Sequence, residues 1–382
     1  MENKKHFLGI FVHCQRMLLI ITTIAYTLPL YAIDINVSAF ENLQAAIIEF
    51  NGNATENTTI VVGENFGIAS ALNITNTDYT LTITSDETTH TLMRSDGFVG
   101  NMFLVGNNAK LVIENIVIDG NGSIVVNSGV LVRISSGGTL IINNGAVLQN
   151  NTNDNTYGSC VSISSGTLTM TGGTIRDNSC LYNIGAGIYA SGSSTFTMTG
   201  GVISGNTAQT GGGVYFGGAN SVFTMTGGTI SGNSASVGGG VYFGGTNSVF
   251  TMIGGTISGN NARTGGGVAF GGTSTTLAMS DGDRTLNLGG TAAIKDNTRG
   301  TGDGAPPSNL YLANDRYIVL GADAAESNDI VLPATGMEIW VQTATTSGII
   351  VQSGATASCV QWFHADNGKI VIHDSGTLAI EN

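Results

Sequence analysis

Between Phe196 and Thr276 the chain repeats itself every 27 residues. FTMTGGVISGNTAQTGGGVYFGGANSV is followed by FTMTGGTISGNSASVGGGVYFGGTNSV and FTMIGGTISGNNARTGGGVAFGGTSTT, so Phe196, Phe223 and Phe250 are equivalent positions. A fixed period of this length is the signature of a solenoid, in which each repeat buries its apolar face only against its neighbours. Within a period, three short apolar pieces are separated by glycine pairs or triplets. In the first piece Phe223 and Met225 alternate with Thr224 and Thr226, the period of a strand with one face buried. No piece offers amphipathic helical spacing, and 56 Gly in 382 residues oppose a helix. The fold expected is all-β: a right-handed parallel β-helix of roughly ten stacked three-strand coils, with handedness following the right-handed crossover of parallel strands.

Columns of equivalent residues extend the register beyond the clean repeats. Inward pairs on the first strand run Leu111/Ile113, Leu140/Ile142, Leu168/Met170, Phe196/Met198, Phe223/Met225, Phe250/Met252 and Leu277/Met279. On the third strand they run Val161/Ile163, Ile188/Ala190, Val214/Phe216, Val241/Phe243 and Val268/Phe270, so Phe196, Phe223, Phe250, Phe216, Phe243 and Phe270 form the expected core stack. An Ile-x-x-Asn element ends in Asn121, Asn150, Asn178, Asn206, Asn233, Asn260 and Asn297. Asn at a stacked turn can adopt the left-handed conformation and bond the amides above and below, so this column reads as a structural turn ladder.

Four regions follow. Residues 1–32 carry Lys4, Lys5 and Arg16 before an apolar stretch from Met17 to Tyr31, and read as a secretory signal peptide cleaved near Ala32. Its removal takes the formal charge from −13 to −15, because three basic residues and Glu2 leave together. So acidic a chain argues against nucleic acid or an anionic membrane as partner, and no membrane insertion of the mature chain is expected. Residues 33–109 hold a short capping helix and the first irregular coils. In SAFENLQAAIIEF, Phe40, Leu43, Ile47 and Phe50 fall at helical spacing, with Ser38 as N-cap and Glu41 three residues on. Such a helix covers the open sheet edge of a solenoid end. Regular repeats occupy 110–297. From 298 to 382 the period is lost after GTGDGAPPSN, and the alternating segments that follow form either further coils with larger excursions or a small β module.

The recurrence of Gly-Gly-Gly-Val (Gly211 to Val214, Gly238 to Val241) with Ile-Ser-Gly-Asn one coil on resembles the paired GGA[ILV] and FxxN repeats of the polymorphic outer-membrane protein class of bacterial autotransporter adhesins. More broadly the chain is similar to pectate-lyase-like right-handed β-helix proteins and to adhesin-like repeat proteins of host-associated bacteria. The likeness covers about residues 110–300, with the cap extending it to residue 38. Ile stands where that class has Phe in FxxN, and no terminal set of ten-residue amphipathic barrel strands is expected after the repeats. The resemblance implies a secreted or surface-displayed scaffold used in adhesion, and some relatives on this fold cleave acidic polysaccharides.

Catalysis on such a scaffold needs clustered carboxylates and a basic partner. Residues 196–276 contain no Asp or Glu, and Arg263 is their only basic residue. Asp119, Asp177 and Asp296 lie near the Asn column, with Asp119 and Asp177 two coils or roughly 10 Å apart, yet no base accompanies them. His13, His90, His364 and His373 lack ligand spacing, and the glycine triplets lack the Asp that would ligate calcium. No catalytic residue, cofactor or metal is assigned. Leu332-Pro-Ala-Thr-Gly matches a sortase signal, but an alternating strand follows it instead of an apolar span. Cys160, Cys180 and Cys359 form an odd set after Cys14 departs, and no bridge is expected.

Two outward columns are the functional candidates. Between the inward pairs of the third strand lie Ser162, Tyr189, Tyr215, Tyr242 and Ala269. Tyr189, Tyr215 and Tyr242 should form an exposed ladder that stacks on sugar rings or a protein partner, or else one that merely stabilises the sheet by self-stacking. The other column, Thr169/Thr171, Thr197/Thr199, Thr224/Thr226 and Thr251, resembles the ice-binding face of some β-helical antifreeze proteins, although Thr is also simply a favoured strand residue. The reading is a non-catalytic, monomeric adhesin-like scaffold that binds glycans or cell-surface proteins, with a polysaccharide-active enzyme as its rival.

Overall fold

The computed structural model describes residues 33–381, apart from 107, 127, 136, 155–156, 159, 271–283, 301–303, 315, 324–329 and 345–347; side chains are also not described at 322, 323 and 330. The expected signal peptide and the pair Leu277/Met279 therefore lie outside the described residues.

The chain is a parallel β-solenoid of the right-handed type, with about 11 turns of about 27 residues. That is one turn more than the sequence expectation, because the stack continues past residue 298. The coil that starts at Thr195 shows the plan. Thr195–Met198 belongs to an 11-stranded first face, Val202–Ser204 to a second and Val214–Phe216 to a third. Each strand pairs in parallel with its equivalents in the coils before and after, as in Phe196↔Phe223↔Phe250. The second and third faces join near the far end, where Glu338–Thr343 pairs with both.

Alternation sends one side of every strand inward. Phe196, Phe223, Phe250, Phe216, Phe243 and Phe270 are all fully buried. Their rings stack coil upon coil: centroids are 4.6 Å apart for Phe196 and Phe223, 4.5 Å for Phe223 and Phe250, and 5.6 Å for Phe216 and Phe243. Each such side chain contributes roughly 1.5–3 kcal/mol by burial. After Phe250/Met252 the inward position passes to Leu286/Leu288.

At the N-terminal end Ile33–Val37 is already the first strand of the first face, and the helix Phe40–Asn53 follows it. Leu43, Ala46, Ile47 and Phe50 are buried against the first coils. The N-cap is Ala39 with no side-chain bond, not Ser38. At the other end, Leu310–Leu312, Glu338–Thr343 and Phe363–Ala365 continue the third face in parallel. Ile349–Val351, between Glu338–Thr343 and Phe363–Ala365 in the chain, joins Thr377–Ile380 and Val371–Asp374 in an antiparallel sheet.

The turn ladder is real, but two of its members differ from the sequence expectation. The stacked residues are Asn151, Asn178, Asn206, Asn233, Asn260 and Asn297, each nearly or wholly buried. In each of Asn178, Asn206, Asn233 and Asn260, the backbone N–H and Nδ2 both donate to Oδ1 of the next Asn, at 2.9–3.1 Å. The Nδ2 groups of Asn206, Asn233 and Asn260 also donate to the carbonyls of Ile175, Ile203 and Ile230 in the coil before. Each of these amides thus ties three coils, with its polar atoms satisfied where water cannot reach. Asn150 is not in the ladder: it takes the preceding left-handed position, with φ 55°. Asp177, Gly205, Gly232, Gly259 and Asp296 stand there in other coils at φ 55–65°, a conformation that Gly, Asn and Asp tolerate best. Asn121 also departs, donating to the Arg94 carbonyl and to Asp96.

The third glycine of each triplet has a steric reason. A Cβ on Gly240 would lie 2.6 Å from the Gly267 carbonyl and 3.0 Å from Nδ2 of Asn260.

Candidate functional site

The tyrosines do stack, but they are not an exposed ladder. Ring centroids lie 5.6 Å apart for Tyr189 and Tyr215 and 5.1 Å for Tyr215 and Tyr242, with interplanar angles of 16° and 9°. Tyr215 and Tyr242 are only 5% and 1% exposed, while Tyr189 is half-buried. Alternation does turn them away from the solenoid core. What covers them is a fourth, four-stranded parallel sheet of Ser179–Ile184, Thr207–Thr210, Ser234–Val237 and Asn261–Thr264. Ile184 and Val237 from this sheet pack on the tyrosine cluster. The chain turns back beneath it at Gly211 and Gly238, where a Cβ would touch Tyr215 or Tyr242. Burial, reinforced by Tyr242, raises the Tyr215 phenol far above its ordinary range, and burial raises that of Tyr242. Both stay neutral.

The stack is open at one end only among the described residues. One coil before Tyr189, the register position holds Ser162, too small to continue it. Tyr157 reaches in instead, its ring 5.5 Å from that of Tyr189 at 25°. It is 57% exposed. One further coil back, Arg133 occupies the same outward column.

These residues line a cleft of about 510 Å³ whose floor includes Gly100 and Gly129 and whose walls carry Ser162, Ser164 and Ser191. Among the described residues, Arg133 is the only charged side chain lining it. A second guanidinium lies behind the floor. Arg94 is completely buried. It donates to the carbonyls of Gly100 and Gly129 and, at 3.2 Å, to Oδ1 of Asn151, and its guanidinium lies 5.3 Å from the Phe98 ring centre. Burial lowers its pKa to about 10, which leaves it charged at neutral pH. Among the described residues neither Arg94 nor Arg133 has a carboxylate within ion-pair distance.

Neither Arg94 nor Tyr157 stands out in the sequence. For Arg94 a signal exists: in Thr91–Arg94 the alternation that buries Leu92 also turns Arg94 inward. For Tyr157 none does, since it reaches the stack from outside any strand.

The other sequence candidates resolve differently. In the threonine column Thr171, Thr199 and Thr226 are exposed and Thr169 and Thr197 half-buried, whereas Thr224 and Thr251 are nearly buried. Asp119 accepts from Asn121, Gln149 and Asn150, and Asp177 pairs with Arg176 at 3.0 Å. No group of three or more His, Cys, Asp or Glu among the described residues could hold a metal ion. Leu332 is exposed, Pro333 bridges to Gly290, and the turn leads into a strand of the stack. Cys160, Cys180 and Cys359 are buried, and burial pushes the Cys180 thiol up to about 12. No helix among the described residues is long and apolar enough to cross a membrane. No family, no curated protein and no solved structure matches this chain.

Proposed function

We propose that this protein is a non-catalytic, adhesin-like scaffold, secreted or displayed at a bacterial cell surface, that binds glycans or cell-surface proteins through the cleft at the open end of the tyrosine stack. One observation carries this reading. A stack otherwise sealed under a fourth sheet presents an exposed aromatic ring, Tyr157, to a cleft walled by hydroxyl groups. Sugar recognition uses this combination, with an aromatic face for the ring's C–H surface and short polar side chains for its hydroxyls. The solenoid supplies a rigid mount, because every coil is tied to its neighbours by strand pairing, reinforced by the Asn ladder and the Phe stacks.

A glycan array probed with the chain from residue 33 onward, followed by product analysis of every retained glycan, tests the reading. Retention of intact glycans supports it. Shortened or unsaturated products would make the protein an enzyme. Absence of any retained glycan, together with no cell-surface protein captured after cross-linking, would refute the cleft as a recognition site.

A further inference from the structure

We infer that the cleft selects a terminal sugar ring carrying a carboxylate, held end-on, with the ring stacked on the free face of Tyr157 and the carboxylate on Arg133. The inference rests on the recognition function proposed above and narrows it to a ligand class.

Three observations converge. First, Tyr157 ends the series of rings that continues through Tyr189, Tyr215 and Tyr242. A flat ligand can therefore extend the stack by one position, toward the coil of Arg133. Second, adjacent strands are about 4.8 Å apart, so Arg133 lies one strand beyond Ser162 and two beyond Tyr189 in register. That register puts the Arg133 backbone one coil beyond Ser162, and its side chain lines the same cleft as Tyr157. A planar fork of donors there matches a carboxylate bidentately. Third, two guanidinium groups, those of Arg133 and Arg94, gather at this cleft in a chain of formal charge −13. Arg133 is the only charged group among the described residues lining the cleft, and buried Arg94 stands behind its floor without a carboxylate partner among them. The Arg94 side-chain Nε, also buried, meets no acceptor among the described residues. Arg133 is exposed, and two guanidinium groups without an ion-paired carboxylate among the described residues favour an incoming anion. The end-on geometry confines recognition to a chain terminus, because Tyr189 already occupies the other face of Tyr157.

The test titrates the protein with methyl glucuronide, methyl glucoside and glucose 6-sulfate, following ligand saturation-transfer NMR and tyrosine fluorescence. The glucuronide is expected to bind roughly tenfold more tightly than the glucoside, by the difference a charge-assisted bond supplies. Arg133→Ala should abolish that preference, whereas Tyr157→Ala should weaken both sugars alike. Equal binding of glucuronide and glucoside overturns the carboxylate inference while leaving the glycan-binding reading intact. Binding of the 6-sulfate as tightly as the glucuronide overturns it too, because an unspecific anion site would suffice. Loss of glucuronide preference in Tyr157→Ala but not in Arg133→Ala would overturn the assignment of the anion to Arg133. Absence of binding by all three sugars, when the array also retains nothing, removes the underlying reading as well.

Discussion

Asn309 gives its backbone N–H and its Nδ2 to the two oxygens of a single carboxylate, that of Asp366, at 2.8 and 2.7 Å. Asn309 itself receives the donors of Asn297. Oriented amides therefore run in one sense from Asn151 to Asn309, with a guanidinium at the acceptor end, where Arg94 meets Oδ1 of Asn151, and a carboxylate at the donor end. Charge at both ends of aligned amide dipoles is the arrangement that stabilises α-helix termini. Here side chains build it across coils.

Replacing Asp366 by Ala leaves two donors of Asn309 without an acceptor. The expected cost is about 2–4 kcal/mol, confined to the last coils. Hydrogen exchange should show Leu310–Leu312 and Phe363–Ala365 losing protection while Phe223 and its neighbours keep theirs. Uniform loss along the chain would contradict a terminal role.

Two acids near that end should shift in opposite directions from their ordinary values. Glu338 falls below its ordinary 4.5 through hydrogen bonds from Lys295 and then Trp340, whereas burial outweighs the Asn309 bonds and lifts Asp366 above 3.8. The signs are opposite. The Glu338 contribution to stability is present above pH 4.5 and is lost as pH falls through its lowered folded value. The Asp366 contribution is full below pH 3.8 and is lost as pH rises through its raised folded value. Carboxyl 13C titration should find the Glu338 midpoint below 4.5 and the Asp366 midpoint above 3.8; a shift of either in the other direction would contradict the environment assigned to it.

Gly232 has φ +65°, and a Cβ placed there would meet only a backbone nitrogen, at 3.8 Å, so conformation rather than space selects glycine. Gly232→Asn should change stability little, since Asn150 adopts φ 55° at the equivalent turn. Gly232→Val should cost at least about 1–2 kcal/mol. Equal melting temperatures for the two variants would show that the left-handed conformation is not what constrains this position.

The hydroxyl of Tyr242 is buried with no hydrogen-bond partner among the described residues. Removing a polar atom that is already unsatisfied leaves nothing newly unpaired. Tyr242→Phe should therefore melt at or above the wild-type temperature, and a clear drop would mean that the hydroxyl has an acceptor.

How much of this is legible in the sequence differs from residue to residue. The Phe and Met columns from Phe196 to Met252 are, because a 27-residue period fixes their register. The same period points to Leu277/Met279 next, but Phe250 and Met252 in fact pair with Leu286 and Leu288. Val147-Leu-Gln-Asn-Asn defeats the ladder assignment: two adjacent Asn fit an Ile-x-x-Asn template, and only pairing of Leu148 with Ile118 and Ile175 selects Asn151. Direction and exposure come apart at the tyrosines. Alternation turns Tyr215 and Tyr242 away from the core, but TAQT, SASV and NART carry too little apolar signal to announce the strands that cover them. The cleft is least legible, because its aromatic ring comes from outside the regular strands and its buried cation from an irregular early coil.

The most direct test of the cleft is a titration of 13C-ring-labelled tyrosines with a glycan retained on the array. Recognition at the open end of the stack predicts that the Tyr157 and Tyr189 ring signals move while Tyr79, Tyr242, Tyr311 and Tyr317 stay in place. Shifts confined to those other tyrosines, or none while the glycan is demonstrably bound, would contradict it.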